Sequence, residues 1–177
     1  MQEISISGYL TQEKLESALR SLMGPCFIGR EQAVGNTRKR WDMLIELPNE
    51  KCAVEFDGEG HYCVPNTILS DEEKDAYAAS IGMRVVRIPY FVQLTSQTLR
   101  HFLGIDAAIC QTYPHGFIDS KAKLPAAFCE LGIHKFKAEL SVLPTEVSEK
   151  ILNSIRMRLN TTDCRLLLPP YLMYLLE

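Results

Sequence analysis

Long apolar runs are missing from this 177-residue chain. The longest, Leu166 to Leu176, is interrupted by Pro169 and Pro170, and it falls well short of the ~20 residues a spanning helix needs. The amino terminus, MQEISISGYLTQEK, has neither a basic start nor an apolar stretch of signal-peptide length. Membrane insertion and export are therefore not expected, and a cytoplasmic location is. No CxxC pair exists among Cys26, Cys52, Cys63, Cys110, Cys129 and Cys164, and a chain this long does not need disulfide staples, so reduced, mostly buried thiols are expected. No excess of basic charge is present either. With 19 Lys and Arg against 22 Asp and Glu, the net charge is -3 and the pI about 5.8. Such a chain offers no global field for a polyanion, so nucleic-acid contact has to come from local clusters. Repeats, Gly/Ser linkers and charge blocks are also lacking. What remains, 46% hydrophobic and 23% charged residues, describes an ordinary globular chain with one core and room for a small appendage.

Periodicity supplies the order of elements. Thr11 caps a helix through Met23 on which Leu15, Leu19 and Leu22 form one stripe, ended by Gly24 and Pro25. Trp41–Leu47 and Cys52–Asp57 read as a β-hairpin turned by Pro48-Asn49-Glu50-Lys51. Ser70-Asp71-Glu72-Glu73 fits a capping box for a helix ending at Gly82, with a strand at Arg84–Ile88. Thr95–Leu103 is expected to be helical, Tyr113–Pro125 a loop, and Pro144–Leu159 a helix whose stripe of Val147, Ile151, Ile155 and Leu159 packs in the core. The apolar tail 166–176 should pack on the body or on a partner.

The chemistry concentrates between Trp41 and Ile88. Strand alternation puts Glu55 and Asp57 on one face, with Val54 and Phe56 on the other. Asp42, 13 positions before Glu55, comes from the other hairpin arm, so three carboxylates meet at one end of the sheet. Their mutual repulsion calls for a hard divalent cation such as Mg2+ or Mn2+. His61, just past Asp57-Gly58, can donate to a phosphate oxygen or protonate a leaving group. Each residue alone also fits a bland role: a turn, a solvated acid, a structural histidine.

The joint pattern resembles the PD-(D/E)xK restriction-endonuclease-like nucleases, and within them the branch related to very-short-patch repair endonucleases. The residues that carry this are Asp42, then Val54-Glu55-Phe56-Asp57-Gly58-Glu59-Gly60-His61, then Asp71-Glu72-Glu73-Lys74, Gly82 and Arg84-Val85-Val86-Arg87-Ile88. The helix with Glu13 and Glu16, followed by Arg30-Glu31-Gln32, resembles the region before the first acid. The likeness spans roughly Thr11 to Leu103. Two departures stand out: Asp57 occupies the place of the general motif's lysine, as is common in this branch, and Lys74 stands where relatives usually carry Arg.

The resemblance implies a central mixed β-sheet flanked by helices in an α/β nuclease core over 1–105; the residues beyond it, where the likeness ends, are expected to form a mainly helical extension over 106–177 packed on the core. It implies Mg2+-dependent hydrolysis of DNA phosphodiester bonds, with Mn2+ able to substitute. Asp42 and Glu55 would hold the metal, Asp57 would complete its surroundings or orient water, and His61 would stabilise charge on phosphate or leaving oxygen. Glu16 is an accessory candidate; Lys74 faces phosphate, pairs with a site acid, or is a solvated helix lysine. Arg38, Lys39 and Arg40 are candidates for contacting the DNA backbone. A homodimer or partner protein is compatible with duplex cleavage. Two rivals remain: a non-catalytic binding module on the same fold, and a metallohydrolase of small phosphate esters, which needs a closed pocket.

Overall fold

The computed structural model describes residues 3–119 and 121–177. After the short strand β1 (Ile4–Ile6), Thr11 accepts the Lys14 N–H at 3.3 Å and opens helix α1 (Gln12–Met23), which stops at Gly24. Leu15 and Leu19 of α1 are fully buried, each side chain contributing about 1.5–3 kcal/mol relative to exposure. Strands β2 (Phe27–Ala33), β3 (Arg40–Leu47), β4 (Glu50–Asp57) and β5 (Arg84–Pro89) form a mixed sheet in the order β2-β3-β4-β5. The first two pairings are antiparallel and β4–β5 is parallel. The hairpin is tighter than its sequence suggests, since Leu47 already pairs with Glu50 and leaves only Pro48 and Asn49 to turn.

Between β4 and β5 the chain forms the single turn α2 (Gly60–Cys63) and helix α3 (Pro65–Ser80). The expected start at Ser70 is wrong by more than a turn: Val64 is extended, as a residue before proline prefers, and Pro65 takes the first helical position. Thr95 does form a capping box with Thr98, opening α4 (Ser96–Leu103), after which β6 (Ile109–Gln111) runs parallel to β1. β6 therefore ties the chain beyond residue 105 to its beginning. The carboxy-terminal part carries α5 (Glu130–Val142), α6 (Thr145–Arg156) and three 3-10 turns, Pro125–Ala127, Cys164–Leu166 and Pro170–Leu176.

Three apolar clusters hold these layers together. α1, α4 and β1 pack on one face of the sheet against Met43, Ile45, Val54, Val86 and Ile88. On the other face, Ala78 of α3 meets Trp41 and Ala53. A third cluster joins Tyr62, Phe91 and Val92 to α5, α6 and the tail residues Leu167, Leu168 and Leu172. The core stripe of α6 ends at Ile155, because the helix stops at Arg156 and Leu159 is exposed. All six cysteines are free, but only Cys52 is buried; Cys26, Cys110 and Cys164 are exposed, against the expectation of mostly buried thiols. They fall at a strand end, on a short edge strand and in a surface turn, where no core covers them. No helix among the described residues is long and apolar enough to cross a membrane.

Candidate active site

The β3–β4 ladder ends at the pair Met43–Val54. Beyond it, side chains replace the missing rungs: the Asp42 N–H donates to Glu55 Oε1 at 2.8 Å, and the Phe56 N–H donates to Asp42 Oδ2 at 2.9 Å. Each carboxylate is thus clamped by the opposite strand's backbone. Glu55 is buried and its Oε2 pairs with Lys74, which reaches across from α3 with its ammonium 5.1 Å from the Trp41 ring centre. Of the open readings for Lys74, the structure supports pairing with a site acid. Asp42 is half-buried, and no donor among the described residues reaches its second oxygen, Oδ1.

Electrostatics marks this pair as under-compensated. Burial holds Asp42 above the ordinary carboxylate range, against the Phe56 N–H and Lys74, and the Asp57 and Glu31 charges push the same way. Burial and then the Asp42 charge raise Glu55 despite its bond to Lys74. Glu31, which the sequence placed only in the stretch before the first acid and gave no site role, is a further contributor. It sits on β2 between the pairs Arg30–Met43 and Gln32–Trp41, which sets it beside Asp42, and its φ of 51° lies in the left-handed region. A non-glycine residue there stores on the order of 1–3 kcal/mol of strain. Nothing in the residue pattern signals that conformation.

Asp57 faces a second, connected cluster. Fully buried, it receives Arg87 Nη1 at 3.0 Å on one oxygen and Lys135 Nζ at 2.5 Å on the other. His61 Nδ1 lies 2.6 Å from Asp71 Oδ2 and 3.5 Å from Asp57 Oδ1. Arg87 also contacts Asp71 at 3.2 Å and Asp75 at 2.8 Å. Burial pulls the His61 imidazole down, but the Asp71 hydrogen bond and the Asp57 charge outweigh it and raise its pKa. Asp71 moves the other way: burial is overcome by His61 and Arg87, and its carboxyl stays below the usual range. Asp57, His61 and Asp71 bring one ligand atom each within 4.8 Å of the others and could hold a metal ion. Arg87 and Lys135, however, already supply those carboxylates with positive charge.

Comparison with family models, curated proteins and solved structures yields no match. The geometry therefore has to speak alone. A surface groove of about 380 Å³ is lined by Lys39, Arg40, His61, Asp71 and Lys74; it meets Glu55 through Lys74, and Asp42, Glu55 and Asp57 do not themselves line it. Lys39 is fastened to α3 through Glu73 and the Ser70 carbonyl. Arg38 is exposed in the preceding turn and does not line the groove. Glu16 is not brought to the acids; it pairs with Arg20 at 2.8 Å and Arg30 at 3.5 Å, on the helix that covers the opposite face of the sheet.

Lys135 and Glu139 are the residues of this site that the sequence reading missed. Both come from α5, in the third of the chain that carried no motif. Glu139 accepts from Tyr62 Oη at 2.7 Å and lies 3.9 Å from Lys135, and burial pushes its carboxyl up to about 7. The network as a whole holds Asp42, Glu55, Asp57, Asp71, Asp75 and Glu139 against Lys74, Arg87 and Lys135, with His61 as a titratable fourth cation. It keeps an acid surplus at the end where Asp42 meets solvent.

Proposed function

We propose that this chain is a Mg2+-dependent endonuclease that hydrolyses phosphodiester bonds in DNA, built on a restriction-endonuclease-like core. The observation that carries the reading is the Asp42–Glu55 pair: two carboxylates locked by opposing backbone amides and under-compensated in charge, with Asp42 Oδ1 met by no donor among the described residues, and with Lys74, the partner of Glu55, lining a groove rimmed by Lys39 and Arg40. An all-oxygen donor set of this kind suits Mg2+ or Mn2+. Asp42 and Glu55 would hold the ion, with Glu31 within range to join them, and the bound cation would polarise the phosphate and acidify water. Lys74, fixed between Glu55 and the groove, holds a positive charge where a nonbridging phosphate oxygen arrives. His61, whose pKa Asp71 and Asp57 raise, would offer a proton to a departing oxygen. Lys39 and Arg40 take flanking phosphates. The open groove suits a polymer better than a small ester.

The test is cleavage of supercoiled plasmid with Mg2+ or Mn2+. Wild-type protein should cut, whereas Asp42→Ala and Glu55→Ala, checked for folding by circular dichroism, should not. Equal cutting by folded Asp42→Ala would refute the assignment.

One observation favours a second reading, a non-catalytic nucleic-acid binding module: Glu55 and Asp57 are already paired with Lys74, Arg87 and Lys135. It predicts DNA binding by a wild-type protein that never cuts with any divalent metal.

A further inference from the structure

On the opposite face of the same strand end lies a pocket of about 280 Å³ that the catalytic reading leaves unused. Its walls are Tyr9 and Leu10 before α1, Phe56 of β4, Tyr90 at the end of β5, and His115 and Gly116 of the following loop. The pocket touches the acids through one residue: the Phe56 N–H is held by Asp42, while the Phe56 side chain turns to the pocket side. Glu59, two positions past Asp57, stands at its mouth. The carboxyl ends of parallel strands are where open α/β sheets place ligands, and β4 and β5 are the parallel pair here.

The walls are stiff and chemically particular. Tyr9 packs on Tyr113 and His115, with ring centres 4.9 and 5.2 Å apart. His115 accepts the Leu10 N–H, and burial depresses its pKa to about 4, so the ring facing the pocket is neutral. Gly116 has φ 99° and abuts Ser154, whose hydroxyl accepts the Phe117 N–H at 2.7 Å, and Phe117 is fully buried. A Cβ at position 116 would lie 2.5 Å from Ser154 Oγ, which fixes this wall. Asp119 and Lys121 also line the space, and of the charges that act on Tyr9 that of Asp119 outweighs that of Arg158. Drug-sized ligands fill roughly 300–1,000 Å³; this smaller space, with ring faces and the polar groups of Glu59, Asp119 and His115, suits one flat heterocycle with hydrogen-bonding edges.

We propose that the pocket stacks a single unpaired nucleobase of a DNA strand whose backbone crosses the Asp42–Glu55 end. The proposal rests on the nuclease reading for its substrate and adds a preference for single-stranded or locally opened DNA. Tyr9 and Tyr90 supply ring faces, and Glu59, Asp119 and His115 supply hydrogen-bonding groups toward the base edge.

The experiment compares fluorescence anisotropy of a dye-labelled single-stranded oligonucleotide with an abasic strand of the same length, in EDTA so that nothing is cut. Wild-type protein should prefer the base-bearing strand by about 5- to 150-fold, the range of one base stacked on an aromatic ring. Tyr9→Phe should keep that preference and Tyr9→Ala should lose it. Ala122→Phe, which fills the pocket from a surface loop, should lose it as well and covers the case of a misfolded Tyr9 variant. Equal affinity of wild-type protein for both strands, or an undiminished preference in Ala122→Phe, overturns the pocket assignment while plasmid cleavage continues to judge the nuclease reading. Absence of binding to either strand also overturns it.

Discussion

Replacing Lys74 by Met leaves Glu55 buried beside Asp42 without its closest cation. Breaking a buried ion pair from one side typically costs about 3–5 kcal/mol, because the remaining charge stays desolvated. Here the loss should fall near the lower bound. Arg87 Nη1 is still 3.9 Å from Glu55 Oε2, yet it already serves Asp57, Asp71 and Asp75 and can share only part of its charge. Methionine preserves the stem that passes the Trp41 ring, so packing loss is small. We expect Lys74→Met to lower unfolding stability by about 3 kcal/mol in urea titration, with the denaturant slope unchanged. Trp41, the chain's one tryptophan, reports the same locus by fluorescence. The double variant Lys74→Met/Glu55→Gln should recover to within about 1 kcal/mol of wild type, since no unpaired charge is then buried. A loss below ~1 kcal/mol in the single variant, the level of an exposed pair, would refute the buried Glu55–Lys74 contact.

Other perturbations probe the supporting shell. Glu139, held near 7 against an ordinary value of 4.5, favours the folded state when protonated, so stability should fall as pH rises from about 4.5 to 7. At about 1.4 kcal/mol per unit the fall amounts to roughly 3 kcal/mol. His61, raised in the folded state, adds to the same trend, since its stabilisation is full below pH ~6.5 and fades as pH climbs through its folded value. Thermal melts of Glu139→Gln across pH 5–8 should lose the Glu139 part and keep a shallower fall from His61, Asp42 and Glu55, all raised in the folded state; an unchanged slope would contradict the assignment to Glu139. Gly132→Ala would place a Cβ 1.8 Å from the Tyr62 carbonyl oxygen, pushing α5 off α2. A loss of about 1–3 kcal/mol, as for overpacked cores, is expected in urea titration, and a neutral result would show that the helices are not in close contact.

Much of the central layer was legible because its signals are local. The 3.6-residue stripe of α1, the alternation of β4 and the Thr11 cap each record a constraint within a few residues. Asp42, Glu55, Asp57 and His61 could be picked out for the same reason, since two adjacent strands and one turn carry them. Lys135 and Glu139 could not: they come from a helix more than 70 positions away and reach the acids only through tertiary packing. β2 and β6 escaped because edge strands with mixed polarity lack a clean alternation, as Ile28-Gly29-Arg30-Glu31-Gln32 illustrates. The start of α3 was misplaced because Ser70-Asp71-Glu72-Glu73 imitates a capping box, while Pro65 carried the true signal. Arg87, quoted only as part of the last strand's motif, is the hub of four acids because its register partner is Glu55.

The most direct measurement is Mn2+ binding by isothermal titration calorimetry to wild-type protein and to folded Asp42→Asn. The account predicts Mn2+ bound by the wild type and at least tenfold weaker binding in the variant, which keeps the shape of the site but removes its solvent-facing charge. Equal affinity in the two proteins, or no Mn2+ bound by wild type, would contradict a cation trapped between Asp42 and Glu55.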